Sequence, residues 1–348
     1  MTNYYFPLPI FSKTQRLINF DEDGLLLNSG TSALKIALRS LHLPLNAKVM
    51  VPLYICESVT EAICSEQLEP FFIDTIDKTS YWGDYLSYLK KKSQIDCVVL
   101  AHLYGFLHPQ TDKIIEFCRE HGIPIVHDCA QSYGIELKNI QSDIFFYSFG
   151  PGKASTAAGG GVIYLKNKTF YARFPQQNFG DIAASKLFFR NRTFGHKADI
   201  KDMLLSMLSK FASKKHEVKM ISGFQKRMAE KVIASFGEIK QLRKERYDIL
   251  KATIAKSPLF FIPYDCAEGV FYKLVLGVSE GKNKRFKEYL QAKKIPFYQL
   301  YVEPEHRNAL QNLKNTAAIE DSFFEISTES SLPVSEINRI ASHLKEFC

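Results

Sequence analysis

Three short runs of the sequence place reactive side chains beside conformationally special ones. Asn28-Ser29-Gly30-Thr31-Ser32-Ala33 sets a glycine among hydroxyls at the head of a helical stretch. Gly30 would let the backbone approach a ligand, and the first N–H groups of a helix form an anion site whose dipole is worth about 0.3–1 kcal/mol. Taken alone, the same run is also an ordinary helix cap. The second run, Ile123 to Asp128 followed by Cys129-Ala130-Gln131-Ser132, ends an apolar strand on a carboxylate. Such an Asp usually caps the next helix. Beside a pyridine ring it would instead keep the ring nitrogen protonated, each pKa unit raised there being worth about 1.4 kcal/mol. Gln131 could then hold a ring substituent such as a phenolic oxygen. The third run, Ser148-Phe149-Gly150-Pro151-Gly152-Lys153, presents a hydroxyl and an amine from one turn. A lone lysine is usually solvated, but in a desolvated site it loses its proton more readily and attacks an aldehyde.

Other chemistries fail on detail. Gly152-Lys153 suggests a P-loop, but Tyr147 and Ala154 occupy the positions where that loop needs Gly and Ser or Thr. A triad of Ser148, His127 and Asp128 is awkward, because adjacent strand residues point to opposite faces, and no G-x-S-x-G elbow is present. His127 reads as a packing residue. Gly159 to Gly161 reads as a bend or a place of close packing.

The elements that must position these runs follow from periodicity. Apolar strand candidates at Val49 to Val51, Pro70 to Asp74, Asp96 to Ala101, Ile123 to Asp128, Asp143 to Phe149 and Gly161 to Leu165 alternate with helical stripes such as Leu34, Ala37, Leu38, Leu41 and Ile114, Ile115, Cys118. This is the pattern of an α/β fold with a mostly parallel, doubly wound sheet. Ligands of such sheets lie outside the carboxyl ends of the strands, which is where Asp128 and Ser148 fall. Residues 167–222 interrupt the alternation and carry an apolar stripe, Met203, Leu204, Met207, Leu208 and Phe211, on a basic helix. A long helix is expected from 229 to 246, then a strand from Val270 to Val278, a helix from Lys284 to Lys293, a short strand and a closing helix from Ser335 to Phe347. The expected division is a large α/β domain over 1–242 and a smaller C-terminal α+β domain over 243–348.

A chain of 348 residues, 46% hydrophobic and 24% charged, is long enough to bury such a core. No apolar run reaches the roughly 18 residues a membrane span needs, and the N-terminus lacks a basic region followed by a long apolar one, so a cytoplasmic enzyme is expected with little membrane contact. Seven cysteines with no C-x-x-C spacing suggest neither a disulfide framework nor a metal site. The net charge of +8 is concentrated between 186 and 246, where sixteen Lys or Arg face six Asp or Glu. That field would attract a phosphate-bearing partner; the plainer reading is a solvated helical face. No nucleic-acid motif accompanies it.

Taken together, these runs resemble the DegT/DnrJ/EryC1/StrS family of sugar aminotransferases, over most of the chain. SGTSALKIALRSLHLPLNAKVMVPLYICESVTEAI resembles the family's N-terminal block, HLYG at 102–105 and IPIVHDCAQSYG at 123–134 its central strands, and SFGPGK its lysine block. GFQKRMAEKVIASFGEIKQLRKER and FFEISTESSLPVSEINRI resemble its later segments. The resemblance implies a fold type I aminotransferase architecture and pyridoxal 5′-phosphate held as a Schiff base on Lys153. It further implies Gly30, Thr31 and Ser148 on the cofactor phosphate, Asp128 on the pyridine nitrogen and Gln131 near the ring oxygen. Where many members carry Thr and a stacking aromatic, this chain has Ile55 and Cys56; where many carry an Asn that reaches the neighbouring subunit's phosphate, it has Gln225. A homodimer is implied, as is transfer of an amino group from glutamate to a keto-sugar linked to a nucleotide diphosphate, with Lys153 and Asp128 as the catalytic pair. The alternatives are another reaction of the same cofactor, such as dehydration or amination of a non-sugar carbonyl, and a non-catalytic binding homologue.

Overall fold

The computed structural model describes residues 24–91, 94–135, 144–150, 152–165, 174–194, 200–210, 217–299, 302 and 304–347. Seven strands make one sheet: β1 (Gly24–Leu27), β2 (Lys48–Pro52), β3 (Glu69–Ile73), β4 (Cys97–Ala101), β5 (Ile125–Asp128), β6 (Ile144–Ser148) and β7 (Gly161–Tyr164). Their order is β1-β7-β6-β5-β4-β2-β3, parallel from β3 to β6 and antiparallel where β7 meets β6 and β1. The fold is the mostly parallel α/β sheet read from the sequence, with one antiparallel edge.

Both faces are covered, and the pleat divides the core accordingly. In β4 every residue is buried; Cys97 and Val99 pack on one side, Val98 and Leu100 on the other. A strand buried on both faces must be apolar throughout, which is why Cys97-Val-Val-Leu-Ala101 shows no alternation. The first face carries α1 (Gly30–Ser40) and α2 (Glu57–Ser65), through Leu34, Ile36, Leu38, Ala62 and Ile63. The second carries α4 (Thr111–Glu120) through Ile114, Ile115 and Cys118, and continues without a break into the C-terminal region. A short helix, α3 (Tyr85–Lys90), lies before β4.

After β7 come α5 (Phe179–Phe194) and α6 (Ile200–Ser209), which pack on each other. Of the apolar stripe, Leu204 and Met207 are exposed and Leu208 is half-buried, while Leu205 beside it is buried; the Met203 side chain and Phe211 lie outside the described residues. The expected single helix from 229 to 246 is two: α7 (Gly223–Ala234) and α8 (Phe236–Ile254). They meet at Ser235, which closes α7 with its N–H on Lys231 O (3.2 Å) and opens α8 by accepting the Ile239 N–H at 3.0 Å. The 242/243 division therefore falls inside α8.

A second sheet, β10-β11-β9-β8, is antiparallel throughout and comprises β8 (Phe260–Phe261), β9 (Lys273–Val278), β10 (Phe297–Gln299) and β11 (Phe323–Ser327). With it go α9 (Asn283–Ala292), a 3-10 helix (Pro304–Asn312), α10 (Lys314–Ile319) and α11 (Val334–Phe347). The strand expected from Val270 begins only at Lys273. Phe271 has φ +52°, and its neighbours bond elsewhere: Val270 N–H donates to Gly105 O at 2.7 Å and Tyr272 N–H to Tyr104 O at 3.1 Å. The first residues of the run are thus held by the loop after β4 instead of by the sheet.

Candidate active site

The loops at the carboxyl ends of β4, β5 and β6 and the start of α1 enclose a cavity of about 260 Å³. Gly30, Thr31, Asp128, Gln131, Ser148 and Lys153 all line it, so six of the seven residues singled out from sequence converge on one space. Gln225, the seventh, is not part of that lining. It is buried in the first turn of α7, where it closes a capping box with Ser222, and its Nε2 donates to Ala158 O at 3.2 Å.

The head of α1 is fixed by its own hydroxyls. Ser29 is the N-cap, with extended backbone (φ −160°, ψ 163°), and its Oγ accepts the Ser32 N–H at 3.0 Å; Ser32 Oγ in turn donates to Asn28 Oδ1 at 2.7 Å. This fixes the first turn of α1, whose Gly30 and Thr31 line the cavity beside the end of β6. A Cβ on Gly30 would lie 2.6 Å from Ser148 Cβ and 2.8 Å from its Oγ, so only glycine lets the helix start meet the serine. The Gly159 to Gly161 run serves the same approach: Gly159 and Gly160 have φ +90° and +106°, and a Cβ on Gly161 would stand 2.6 Å from Ser29 O. The expected bend and close packing are both present.

Ser148 Oγ accepts the Gly150 N–H at 3.2 Å, and Ser148 O accepts the Ser155 hydroxyl at 3.0 Å. Phe149 N–H donates to Gly160 O at 2.9 Å, and Lys153 N–H donates to Thr156 Oγ1 at 2.7 Å. These bonds hold the turn that delivers Lys153 against the strand ends.

Asp128, at the end of β5, is 9% exposed. Its Oδ1 accepts the Ala130 N–H at 2.9 Å. Burial pushes its carboxyl above the ordinary range, and the opposing pull comes from the positive charge of Lys153 and from the Ala130 N–H. A buried carboxylate with so little compensation favours a cation placed against it.

His102 also lines the cavity, together with Ile55, Cys56, Val59 and Leu103. Its tautomer follows from its partners when it is neutral. Nδ1 accepts the His108 N–H at 3.1 Å, so the ring proton sits on Nε2 and is donated to His127 Nδ1, also at 3.1 Å. Burial, followed by the neighbouring His127 and His108, holds His102 well below its ordinary pKa. His127 is fully buried and stacked 5.4 Å from His102, the packing role expected of it. His102 was missed as a lining residue, although the rule used for Asp128 applies to it: it directly follows Ala101, the last residue of β4.

Gln131 Oε1 accepts the Tyr104 N–H at 2.7 Å, which makes the NH₂ end of that amide the donor available to a ligand. The cavity wall thus combines an anion cradle (Gly30, Thr31, Ser148), an amine (Lys153), an amide donor (Gln131) and a buried carboxylate (Asp128). The donor set fits a molecule with a phosphate at one end, an aldehyde and a hydroxyl on a ring, and a protonatable ring nitrogen.

Fold and site define the class: an α/β chain of the aminotransferase architecture. The chain belongs to the DegT/DnrJ/EryC1/StrS aminotransferase family, whose model matches residues 20–345. It is 29% identical over 154 residues to GDP-perosamine synthase of Escherichia coli O157:H7, a stretch covering 42% of this chain and 41% of that protein. It is 30% identical over 142 residues to a UDP-N-acetyl-3-dehydro-alpha-D-glucosamine 3-aminotransferase of Acidithiobacillus ferrooxidans, covering 39% and 38%. The matched stretches thus span about two fifths of these relatives' own length. A putative sugar aminotransferase of Streptococcus pneumoniae, Spr1654, solved in its PMP form, superposes with a TM-score of 0.69 at 17% identity, covering 93% of this chain and 87% of that one.

Proposed function

We propose that this chain is a pyridoxal-phosphate-dependent aminotransferase that moves an amino group from glutamate to a keto-sugar carried on a nucleoside diphosphate. The observation that carries the reading is the convergence of Asp128, Ser148 and Lys153 on one cavity with the head of α1. When bound, the cofactor supplies an electron sink that the twenty side chains lack. The amides of Gly30 and Thr31 and the hydroxyl of Ser148 bind the phosphate. Asp128 holds a proton on the ring nitrogen, and the Gln131 amide orients the ring oxygen. Lys153 Nζ would hold the aldehyde carbon with loss of water and, when free, would serve as the base and acid that carries a proton between the reacting carbons. Ile55, Val59 and Leu103 give the cavity apolar walls.

The family resemblance also supports a homodimer, with Gln225 contributing across the interface. Among the described residues no helix is long and apolar enough to cross a membrane. The positive balance between 186 and 246 supports a diphosphate-bearing substrate, as do the GDP- and UDP-linked names of the two relatives. The test is a single-turnover experiment with cofactor-loaded protein. Glutamate alone is expected to yield one equivalent of 2-oxoglutarate per site, and a panel of nucleotide-linked keto-sugars then one equivalent of amino sugar by mass spectrometry. Absence of 2-oxoglutarate would overturn the aminotransferase reading; its formation with no sugar aminated would overturn the acceptor.

A further inference from the structure

Tyr104 adopts φ +54°, a left-handed conformation that L-residues other than Asn and Asp rarely hold. It follows two lining residues, His102 and Leu103, and is bonded at both ends. Its N–H donates to Gln131 Oε1 at 2.7 Å, while its carbonyl accepts the Tyr272 N–H at 3.1 Å. The phenol is 2.6 Å from Tyr54 Oη and donates to Glu325 Oε1 at 2.7 Å. Tyr54 immediately precedes the lining residues Ile55 and Cys56. Glu325 lies on β11 and is paired with Lys273 of β9. Burial opposes the charge of Lys273, but Glu325 outweighs it and holds Lys273 above its ordinary range. An ion pair so placed is a fixed anchor, because freeing either partner leaves a buried charge. None of Tyr104, Glu325 or Lys273 lines the cavity itself.

We propose that Tyr104 is a positioning residue: anchored by the Glu325–Lys273 pair of the C-terminal sheet, it fixes the Gln131 amide and the Tyr54 loop on two sides of the cofactor cavity. The C-terminal sheet thereby sets the geometry of a site to whose wall none of its described residues contributes. The inference rests on the cofactor reading above, since Gln131 is taken there to meet the ring. Without the phenolic bonds the left-handed turn at 104 relaxes, the N–H moves, and Gln131 loses the partner that orients it.

The experiment is a double-mutant cycle read by calorimetric affinity for pyridoxal phosphate, on parent, Tyr104→Phe, Gln131→Ala and the double variant. Phe preserves the ring that meets Tyr81 edge-on at 4.9 Å. Tyr104→Phe is expected to weaken the affinity by about 2- to 30-fold, the range over which residues that touch no ligand modulate a site they are coupled to. In the Gln131→Ala background the same change is expected to cost clearly less than in the parent, only the share carried by the Tyr54 loop remaining. Additive losses, or parent affinity in Tyr104→Phe, would overturn the inference and leave the cofactor reading intact. Failure of the parent to bind pyridoxal phosphate would overturn both. Should Tyr104→Phe not fold, the variant Glu325→Leu with Lys273→Met removes the anchor without stranding a charge, and the same non-additivity with Gln131→Ala is required of it.

Discussion

The carboxyl ends of β5 and β6 and the C-terminal sheet are both densely buried, but they treat their polar groups in opposite ways. At the strand ends Asp128, Ser148 and Lys153 converge on a cavity: a single backbone N–H meets the Asp128 carboxylate and another the Ser148 hydroxyl, Lys153 is held through its backbone N–H, and all three residues line the space. In the C-terminal sheet the buried polar groups are bonded to each other: Glu325 takes Tyr104, Tyr54 and Lys273, and the rest of the region is an aromatic core around Phe286. Chemistry requires a buried polar group whose partner is still to come. Stability requires one whose partner is already present.

Variants in the two regions should therefore separate rate from stability. Lys153→Ala is expected to lower the rate of amino transfer by at least about 10²–10⁴-fold, the range of a positioned acid–base group, with little change in thermal unfolding of the cofactor-free protein. Phe286→Ala should do the reverse. That ring is fully buried against Phe260, Phe324 and Phe347, and its loss is expected to cost about 3–5 kcal/mol in a denaturant titration while leaving cofactor affinity of the folded fraction unchanged.

Gly30→Ala sharpens the contrast, because two effects compete there. Alanine in a helix gains up to about 1 kcal/mol over glycine, but overpacking costs about 1–3 kcal/mol. The new Cβ meets Ser148 Cβ at 2.6 Å, an atom held by its backbone, so the clash wins. Weaker binding of pyridoxal phosphate, with a modestly lower unfolding midpoint, is the expected pair of results in a calorimetric titration and a melt.

The smallest effect is one of pH. Burial holds His102 well below its ordinary 6.5 and His108 down at about 4, so the unfolded chain binds more protons than the folded one between those values. Stability is fully present above pH 6.5 and is expected to fall as pH drops toward 4. Asp128, raised by burial, works in the opposite sense and flattens the lower part of that decline. Denaturant midpoints across the window check the sign.

The strand ends were legible in the sequence because local rules carry them. An apolar run ending in Asp or Ser, a glycine at a helix head and a Gly-Pro turn bearing Lys153 each declare themselves within a few residues. What stayed hidden depends on distant partners. Tyr104 looks like any strand-following aromatic until Tyr272, Gln131 and Glu325 are brought around it. Val270 to Tyr272 read as strand because their side chains are apolar, whereas their backbone is claimed by Tyr104 and Gly105 across the fold. Ser235 breaks a helix whose side-chain period runs on without interruption, so only the backbone bonds at that residue reveal two helices. Gln225 was placed by resemblance to an Asn that crosses a subunit interface; within the chain its amide is bonded to Ser222 and Ala158.

The central claim is that Lys153 holds the cofactor covalently in the cavity closed by Asp128 and Ser148. Its most direct test is borohydride reduction of the protein incubated with pyridoxal phosphate, followed by peptide mass spectrometry. The account predicts one reduced pyridoxyl-phosphate adduct, located on Lys153 and absent from Lys153→Ala. An unmodified Lys153 with the adduct on another lysine, or no adduct at all, would contradict it.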